Sequence, residues 1–518
     1  MADFDLARTR KSLFEALIDA RDRFGRNKPA LEDPERQPIT YGRLVLGALV
    51  LGRKLAGLTK PRENVGVLLP NVQGLAVALF GLNAFGRVPA LLNFTAGTRN
   101  LKAACEVARV ETIVTSRRFV EQGKLDDVLA AIAEGRRVVF LEDVRKRITS
   151  VDKARGLVES WFARALHKRA GMRPDDPAVV LFTSGSEGKP KGVVLSNANL
   201  VANAYQVKAH AGDVLTPDDV FFNPLPIFHS FGLTAGLLTS LLNGIKVVLY
   251  PSPLHYRQIP KLIAGTRSTI LLATDTFLQG YARAADPDDL QTVRYVIAGA
   301  ERVKDDTRKL WERHGTVILE GYGATECAPV VACSLPDRNR HGSVGPFLPG
   351  IEWRLAPVEG IHEGGRLSVR GPNVMRGYLD PEAPTGIDPP DDGWHDMGDI
   401  VSVEDGMVRI LGRAKRFAKV GGEMISLAAI ETVAQGLWPE FNHVVVALPD
   451  PRKGEQVVLI TDKPDADREA LMTYAREQGF PELWVPKAIL VSSIPVLGSG
   501  KTDYAAAVEM ARRLQTML

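Results

Sequence analysis

The chain has 518 residues, too many for one ordinary hydrophobic core, so two or more domains are expected. A 45% hydrophobic and 24% charged composition is typical of a soluble globular protein. The net charge of +4 is nearly balanced; it argues neither for nor against nucleic acid, and no nucleic-acid partner is expected. Three cysteines (Cys105, Cys327, Cys333) lack metal-ligand spacing and cannot form a disulfide framework, which suits a reducing compartment.

The first residues are charged, with no apolar core after Lys11, so no signal peptide is expected. Ser12–Leu17 starts an amphipathic helix, and Ile39–Tyr41 leads into a second one that ends near Gly57. Val65–Leu69 reads as a buried strand, Gly74–Phe85 as the helix after it, and Val88–Asn93 as the next strand. Thr112–Thr115 and Arg137–Leu141 continue the alternation, which implies a parallel sheet covered by helices on both faces. The expected fold class is therefore α/β. Lys153–Arg173 is basic and amphipathic; it suits either contact with a membrane surface or, as charge runs more often do, a solvated linker helix.

Pro177–Val180 reads as a strand, and Val193–Leu195 as another, followed by Ser196 as a helix N-cap. Between them, Thr183-Ser184-Gly185-Ser186-Glu187-Gly188-Lys189-Pro190-Lys191-Gly192 holds three glycines, three hydroxyls and two lysines. Small residues let backbone amides approach a phosphate, and hydroxyls and ammonium groups add donors and charge, so the stretch suits a phosphate-binding loop. An ordinary solvated turn is the alternative. It is not a Walker loop, because Pro190 follows Gly188-Lys189, and Gly498–Thr502 fails that pattern because Pro495 stands where its first glycine should be.

Phe231–Tyr250 is the longest apolar stretch; Asn243 and Lys246 interrupt it, so it reads as a buried helix and a strand rather than a membrane span. Val296–Glu301 and Val317–Glu326 each read as a strand running into a glycine turn, and ligands of open parallel sheets bind beyond the strands' carboxyl ends. Pro389–Asp392 is a loop. After about residue 413 the pattern is mixed: Ile430–Leu437 and Arg468–Gln478 helical, His443–Leu448 and Gln456–Ile460 extended. That suits a small α+β domain.

Thr183–Gly192, Gly321-Tyr322-Gly323-Ala324-Thr325-Glu326, Gly393–Asp399 and Ile410–Lys415 occur in the order of the adenylate-forming superfamily, and from about Val65 to Lys501 the chain resembles it. The resemblance implies a large domain (1–412) of parallel-rich βαβ sheets plus a β-rich segment near Gly365–Tyr378. A small mobile α+β domain (413–518) is implied to follow, with its hinge at Lys415. It implies ATP, Mg²⁺ and a carboxylic acid as ligands. Nucleotide contacts are implied for Thr183, Ser184, Gly185, Ser186, Glu187, Lys189 and Lys191. Gly299, Ala300 and Glu301 would flank adenine, and Tyr322, between Gly321 and Gly323, would stack on it. Thr325 would contact the α-phosphate, Glu326 would ligate magnesium, Asp399 would hold the ribose and Arg413 the nucleotide. Met397 stands where the family usually has Thr or Ser. Phe228, His229 and Phe231 would line the acid's site, Gly421 and Gly422 would face the thiol, and Lys501 would be the catalytic lysine.

Leu91–Gly97, the Ser186-Glu187 pair and Arg416–Leu427 look most like long-chain acyl–acyl carrier protein synthetases and acyl-CoA synthetases. The acceptor would then be CoA or the phosphopantetheine of acyl carrier protein. Such proteins often carry an acyltransferase domain with His-x-x-x-x-Asp; the pattern is absent here, so phospholipid acyl transfer is not expected. Pro495, four residues, then Gly500-Lys501 also resembles the context in which a protein acetyltransferase modifies the lysine. The expected location is cytoplasmic, at most peripheral to the inner membrane surface. An aryl or short-chain acid ligase, a peptide-synthetase adenylation domain, a luciferase-type oxidase and a non-catalytic nucleotide-binding protein are the alternatives.

Overall fold

A computed structural model of the chain describes residues 4–184, 190–359, 361, 363–420, 423–450, 454–496 and 502–515. Packing divides the chain into two compact units, Met1–Glu352 with Arg370–His395, and Trp353–Val369 with Asp396–Leu518. The strand Met407–Arg413 runs through the 412/413 division expected from the motifs and packs with the second unit.

Local signals set the helices of the first unit. Ser12 caps the helix Leu13–Phe24 by accepting from the Glu15 amide, and Thr40 caps Tyr41–Ala56 through the Arg43 amide. Ser196 and Asn199 form a reciprocal capping box on Asn197–Ala211.

The first unit holds two eight-stranded sheets. In one, Val88–Leu91, Asn64–Leu68, Thr112–Thr115 and Arg137–Phe140 lie in that order and parallel, as the alternation predicts. Pro177–Ser184 joins parallel to Val88–Leu91 but turns back on itself, pairing antiparallel with Pro190–Ser196; Gly377–Leu379 then adds antiparallel outside it. The other sheet is parallel from Pro29–Glu32 through Lys246–Leu249, Val220–Asn223, Ile270–Ala273 and Tyr295–Ala298 to Val317–Gly323. Val330–Cys333 closes its far edge antiparallel.

The apolar stretch after Ser230 is a helix followed by a strand, as expected, but Phe231–Leu238 winds as a π-helix. Within it, the Gly232 carbonyl accepts from the Asn223 side-chain amide at 2.9 Å, a side chain reaching into the helical ladder.

In the second unit, Glu352–Ala356, Gly365–Arg370, His395–Glu404 and Met407–Arg413 form a four-stranded sheet. The expected β-rich segment Gly365–Tyr378 is thus shared between sheets: Gly365–Arg370 here, Gly377–Leu379 in the first unit. A five-stranded sheet of Glu423–Ser426, Phe417–Val420, Gly454–Thr461, His443–Asp450 and Ala488–Val491 packs with helices Leu427–Leu437, Arg468–Glu477 and Tyr504–Gln515. Among the described residues no helix is long and apolar enough to cross a membrane.

Candidate active site

The hairpin of the first unit brings Thr183 opposite Lys191 and Ser184 opposite Pro190. Gly185, Ser186, Glu187 and Lys189, between those strands, lie outside the described residues, as do Gly421, Gly422 and Lys501. Lys191 lies over the face of the Tyr378 ring, 4.6 Å from its centroid. That ring arrives on Gly377–Leu379, where Tyr378 pairs with Val193.

In the second sheet, parallel register places Ala298 beside Glu320, so Gly299 follows alongside Gly321. Both turns therefore emerge from the same, carboxyl edge of the sheet. A Cβ on Gly299 would sit 3.2 Å from the Phe231 ring and 3.4 Å from the Gly321 carbonyl, so this turn touches the π-helix closely. Ala300 takes the left-handed conformation, and Glu301 accepts from the Thr276 amide and hydroxyl at 3.2 and 3.0 Å, tying the turn to the helix Asp275–Ala284.

Tyr322 is buried, and Gly323 admits no side chain: a Cβ there would overlap the Pro329 carbonyl oxygen. A tight turn, Thr325–Cys327, follows. The Thr325 hydroxyl accepts from Ser230 at 3.3 Å. The Glu326 carbonyl accepts from the Met375 amide at 2.7 Å, and its carboxylate from the Tyr378 hydroxyl at 2.8 Å. Burial, then the neighbouring carboxylate, pushes the Tyr378 phenol well above its usual range, so it remains a donor. His229 is exposed beside the buried Phe228 ring, which also meets Phe94 edge to face.

The motif residues of the first unit thus converge: the strand holding Lys191, the turn after Gly299, Thr325-Glu326 and the stretch from Phe228 to Phe231. Ser230 and Tyr378 complete the contacts, and neither was expected. Ser230 sits between two residues that were singled out; Tyr378 was expected only as the end of the β-rich segment, with no role in the site, and it reaches the site through strand pairing.

In the second unit, Asp399 faces Arg413 across an antiparallel pair. The guanidinium Nε lies 2.9 Å from the Asp399 carboxylate, which is almost wholly buried while Arg413 is exposed. Arg413 also donates to the Met397 carbonyl at 3.3 Å, so that position contributes its backbone although its side chain is apolar. Lys415 lies in the short turn Ala414–Arg416 that joins this sheet to the next.

No group of three or more His, Cys, Asp or Glu able to hold a metal occurs among the described residues. Among the described residues of this turn, the carboxylate available is Glu326, positioned by Tyr378. That fits Mg²⁺, which keeps several waters and takes one or two carboxylates together with phosphate oxygens.

Residues 18–379 match the family model of the AMP-binding enzymes. Feruloyl-CoA synthase from Amycolatopsis sp is 30% identical over 485 residues, 89% of this chain and 92% of that protein. Long-chain-fatty-acid–CoA ligase from Yersinia pestis is 29% identical over 80% of this chain and 79% of its own length. The crystal structure of ATP-bound MatB from Rhodopseudomonas palustris superposes with a TM-score of 0.79 at 25% identity, covering 96% of this chain and 98% of that one.

Proposed function

Since the chain belongs to the AMP-binding enzyme family, we propose that it is an AMP-forming acid–thiol ligase, which activates a carboxylic acid with ATP and passes the acyl group to a thiol. The observation that carries this reading is the convergence of Lys191, Gly299, Thr325, Glu326 and the stretch Phe228–Phe231 at one edge of the first unit. It joins phosphate-binding chemistry to an apolar wall.

A carboxylate is a poor electrophile. Its oxygen attacks the α-phosphorus, the bond to pyrophosphate breaks, and acyl-AMP forms. A thiolate then attacks the acyl carbon and AMP leaves. Negative charge grows around phosphorus in the first step, so positioned donors and cations lower its barrier. In this proposal the Thr325 hydroxyl, fixed by Ser230, donates to the α-phosphate. Lys191, with Thr183, Ser184, Gly185, Ser186, Glu187 and Lys189, holds the phosphates. Tyr322 stacks on adenine beside Gly299, Ala300, Glu301, Gly321 and Gly323. Asp399 accepts from the ribose hydroxyls, and Arg413 holds Asp399 and the nucleotide. Mg²⁺, when bound at Glu326, neutralises phosphate charge. Lys501 is assigned the cationic role in the first step, Lys415 the hinge about which 413–518 turns, and Gly421-Gly422 the close approach of the thiol arm.

For the acid we favour a medium- or long-chain fatty acid, lined by Phe228, His229 and Phe231; an aryl acid is the second reading, favoured by the feruloyl-CoA synthase relative. Both curated relatives are named for CoA, which supports CoA as acceptor over acyl carrier protein. Modification of Lys501 by an acetyltransferase would remove the charge used in the first step. Three free cysteines support a cytoplasmic site of action. ATP–pyrophosphate exchange across acetate, octanoate, palmitate, benzoate and ferulate tests the reading. Exchange with the fatty acids and loss in K501A are expected; exchange with none of the acids would overturn it.

A further inference from the structure

The basic, amphipathic stretch Lys153–Arg173 lies largely on two helices, Ser150–Trp161 and Ala163–Lys168. Thr149 and Asp152 form a capping box on the helix Ser150–Trp161, which packs on Tyr41–Ala56. Its inward side is small: Gly156 and Ser160 are buried, and a Cβ on Gly156 would lie 2.3 Å from the Val50 side chain. Ser160 is clamped by Arg21, which donates to its carbonyl at 2.6 Å, and by Arg26, which donates to its hydroxyl at 2.9 Å. Both acids of the helix are engaged, Asp152 with Lys54 and Glu159 with Arg53 and Arg155.

The outward side is the reverse of an ordinary surface helix. Val151, Leu157, Val158, Trp161 and Phe162 are all exposed, the two aromatics at 66% each. The Arg26 guanidinium stacks on Trp161 at 4.0 Å from the ring. Before, within and after this helix stand Arg145, Lys146, Arg147, Lys153, Lys168 and Arg169 in the sequence, all exposed and, among the described residues, in no ion pair. Residues 145–169 hold eight Lys and Arg against two acids, a larger surplus than the +4 of the whole chain, so the remaining sequence is on balance slightly acidic. A contiguous exposed apolar face rimmed by one sign of charge marks an interaction surface.

We propose that this face docks on an anionic lipid bilayer. Trp161 and Phe162 enter the interfacial layer, and the surrounding cations meet lipid phosphates. Aromatic and aliphatic side chains on one helix face, flanked by Lys and Arg, match the interfacial zone, where apolar tails adjoin negative headgroups. The concentration of charge favours a bilayer over a protein partner: the chain's surplus positive charge falls in the same 25 residues as its exposed apolar helix face rather than being spread along the sequence. The inference is independent of which acid is activated.

The test is cosedimentation of the full chain with vesicles of phosphatidylcholine alone and of phosphatidylcholine with phosphatidylglycerol, at low and high salt. Binding to the phosphatidylglycerol vesicles only, weakened by salt, is expected. W161S/F162S and K168E/R169E are each expected to lower the partition coefficient roughly tenfold. Because these side chains are exposed, thermal midpoint and ATP–pyrophosphate exchange should stay at wild-type values. Equal binding by wild type and both variants, or no binding to either vesicle, overturns the proposal. So does self-association of the wild type without vesicle binding that W161S/F162S abolishes, since the face would then serve a second copy of the chain.

Discussion

Tyr378 donates its hydroxyl to the Glu326 carboxylate at 2.8 Å, and Lys191 covers the face of the same ring. One aromatic side chain thereby sets the position of an anion and of a cation. Replacing it with phenylalanine keeps the ring and removes only the hydroxyl. A hydrogen bond to a charged group contributes about 1.5–3 kcal/mol, so Y378F should lower ATP–pyrophosphate exchange by roughly tenfold or more. The Mg²⁺ concentration giving half-maximal exchange should rise. Unchanged exchange and Mg²⁺ dependence would remove Tyr378 from the site's machinery.

Gly323 makes a different kind of demand. Its neighbour is backbone, the Pro329 carbonyl, and not a side chain that can swing away. G323A must therefore displace the strand or the following turn, which carries Thr325 and Glu326. Overpacking costs about 1–3 kcal/mol. A thermal midpoint lowered by several degrees is expected, with exchange activity falling further than stability alone accounts for. Calorimetry and exchange on the same preparation measure both.

The Asp399–Arg413 pair separates binding from stability. Asp399 is almost wholly buried but Arg413 is largely exposed, so water screens the attraction between them. D399N preserves shape and removes the charge offered to the ribose hydroxyls. The KM for ATP should rise by about tenfold, as expected for about 1.4 kcal/mol of lost binding, while the midpoint moves by only a few degrees. A full loss of folded protein would instead mark Asp399 as structural.

How far these features can be read from the chain depends on how local their causes are. Caps at Ser12, Thr40 and Ser196 rest on contacts three residues away, and the glycine turns after Ala298 and Tyr322 follow strands with clear apolar runs. Tyr378 is different: 187 positions separate it from Lys191, and only strand pairing joins them. The π-helix is met by the Asn223 amide from the strand Val220–Asn223, a contact outside the helix's own sequence, so periodicity within Phe231–Leu238 shows a helix but not its winding. Strand patterns at Gly365–Arg370 and Gly377–Leu379 do not reveal that they enter different sheets. The helix Ser150–Trp161 shows amphipathic spacing, but the spacing does not say which side faces inward; Gly156 and Ser160 decide that by fitting closely against the next helix.

His167 gives the pH dependence of stability a sign. Its Nδ1 faces the Ala84 carbonyl at 2.9 Å; a carbonyl only accepts, so Nδ1 carries the proton and Nε2 accepts from the Ser12 hydroxyl at 2.6 Å. The neutral ring is satisfied on both sides, and burial holds its pKa below 6.5, only partly opposed by the Ala84 bond and Glu15. His210, half-buried and bonded to the Cys333 carbonyl, is shifted the same way by desolvation. Each folded pKa lies below its unfolded value, so the unfolded chain binds more protons once pH falls under about 6.5. Stability is then full above that pH and declines below it, by up to about 1.4 kcal/mol per pH unit for each proton. Thermal midpoints between about pH 5 and 8 should fall on the acid side, and H167Q, which keeps a donor and an acceptor but does not titrate, should flatten part of that fall. An acid-side slope identical in wild type and H167Q would mean that His167 binds its proton equally in both states.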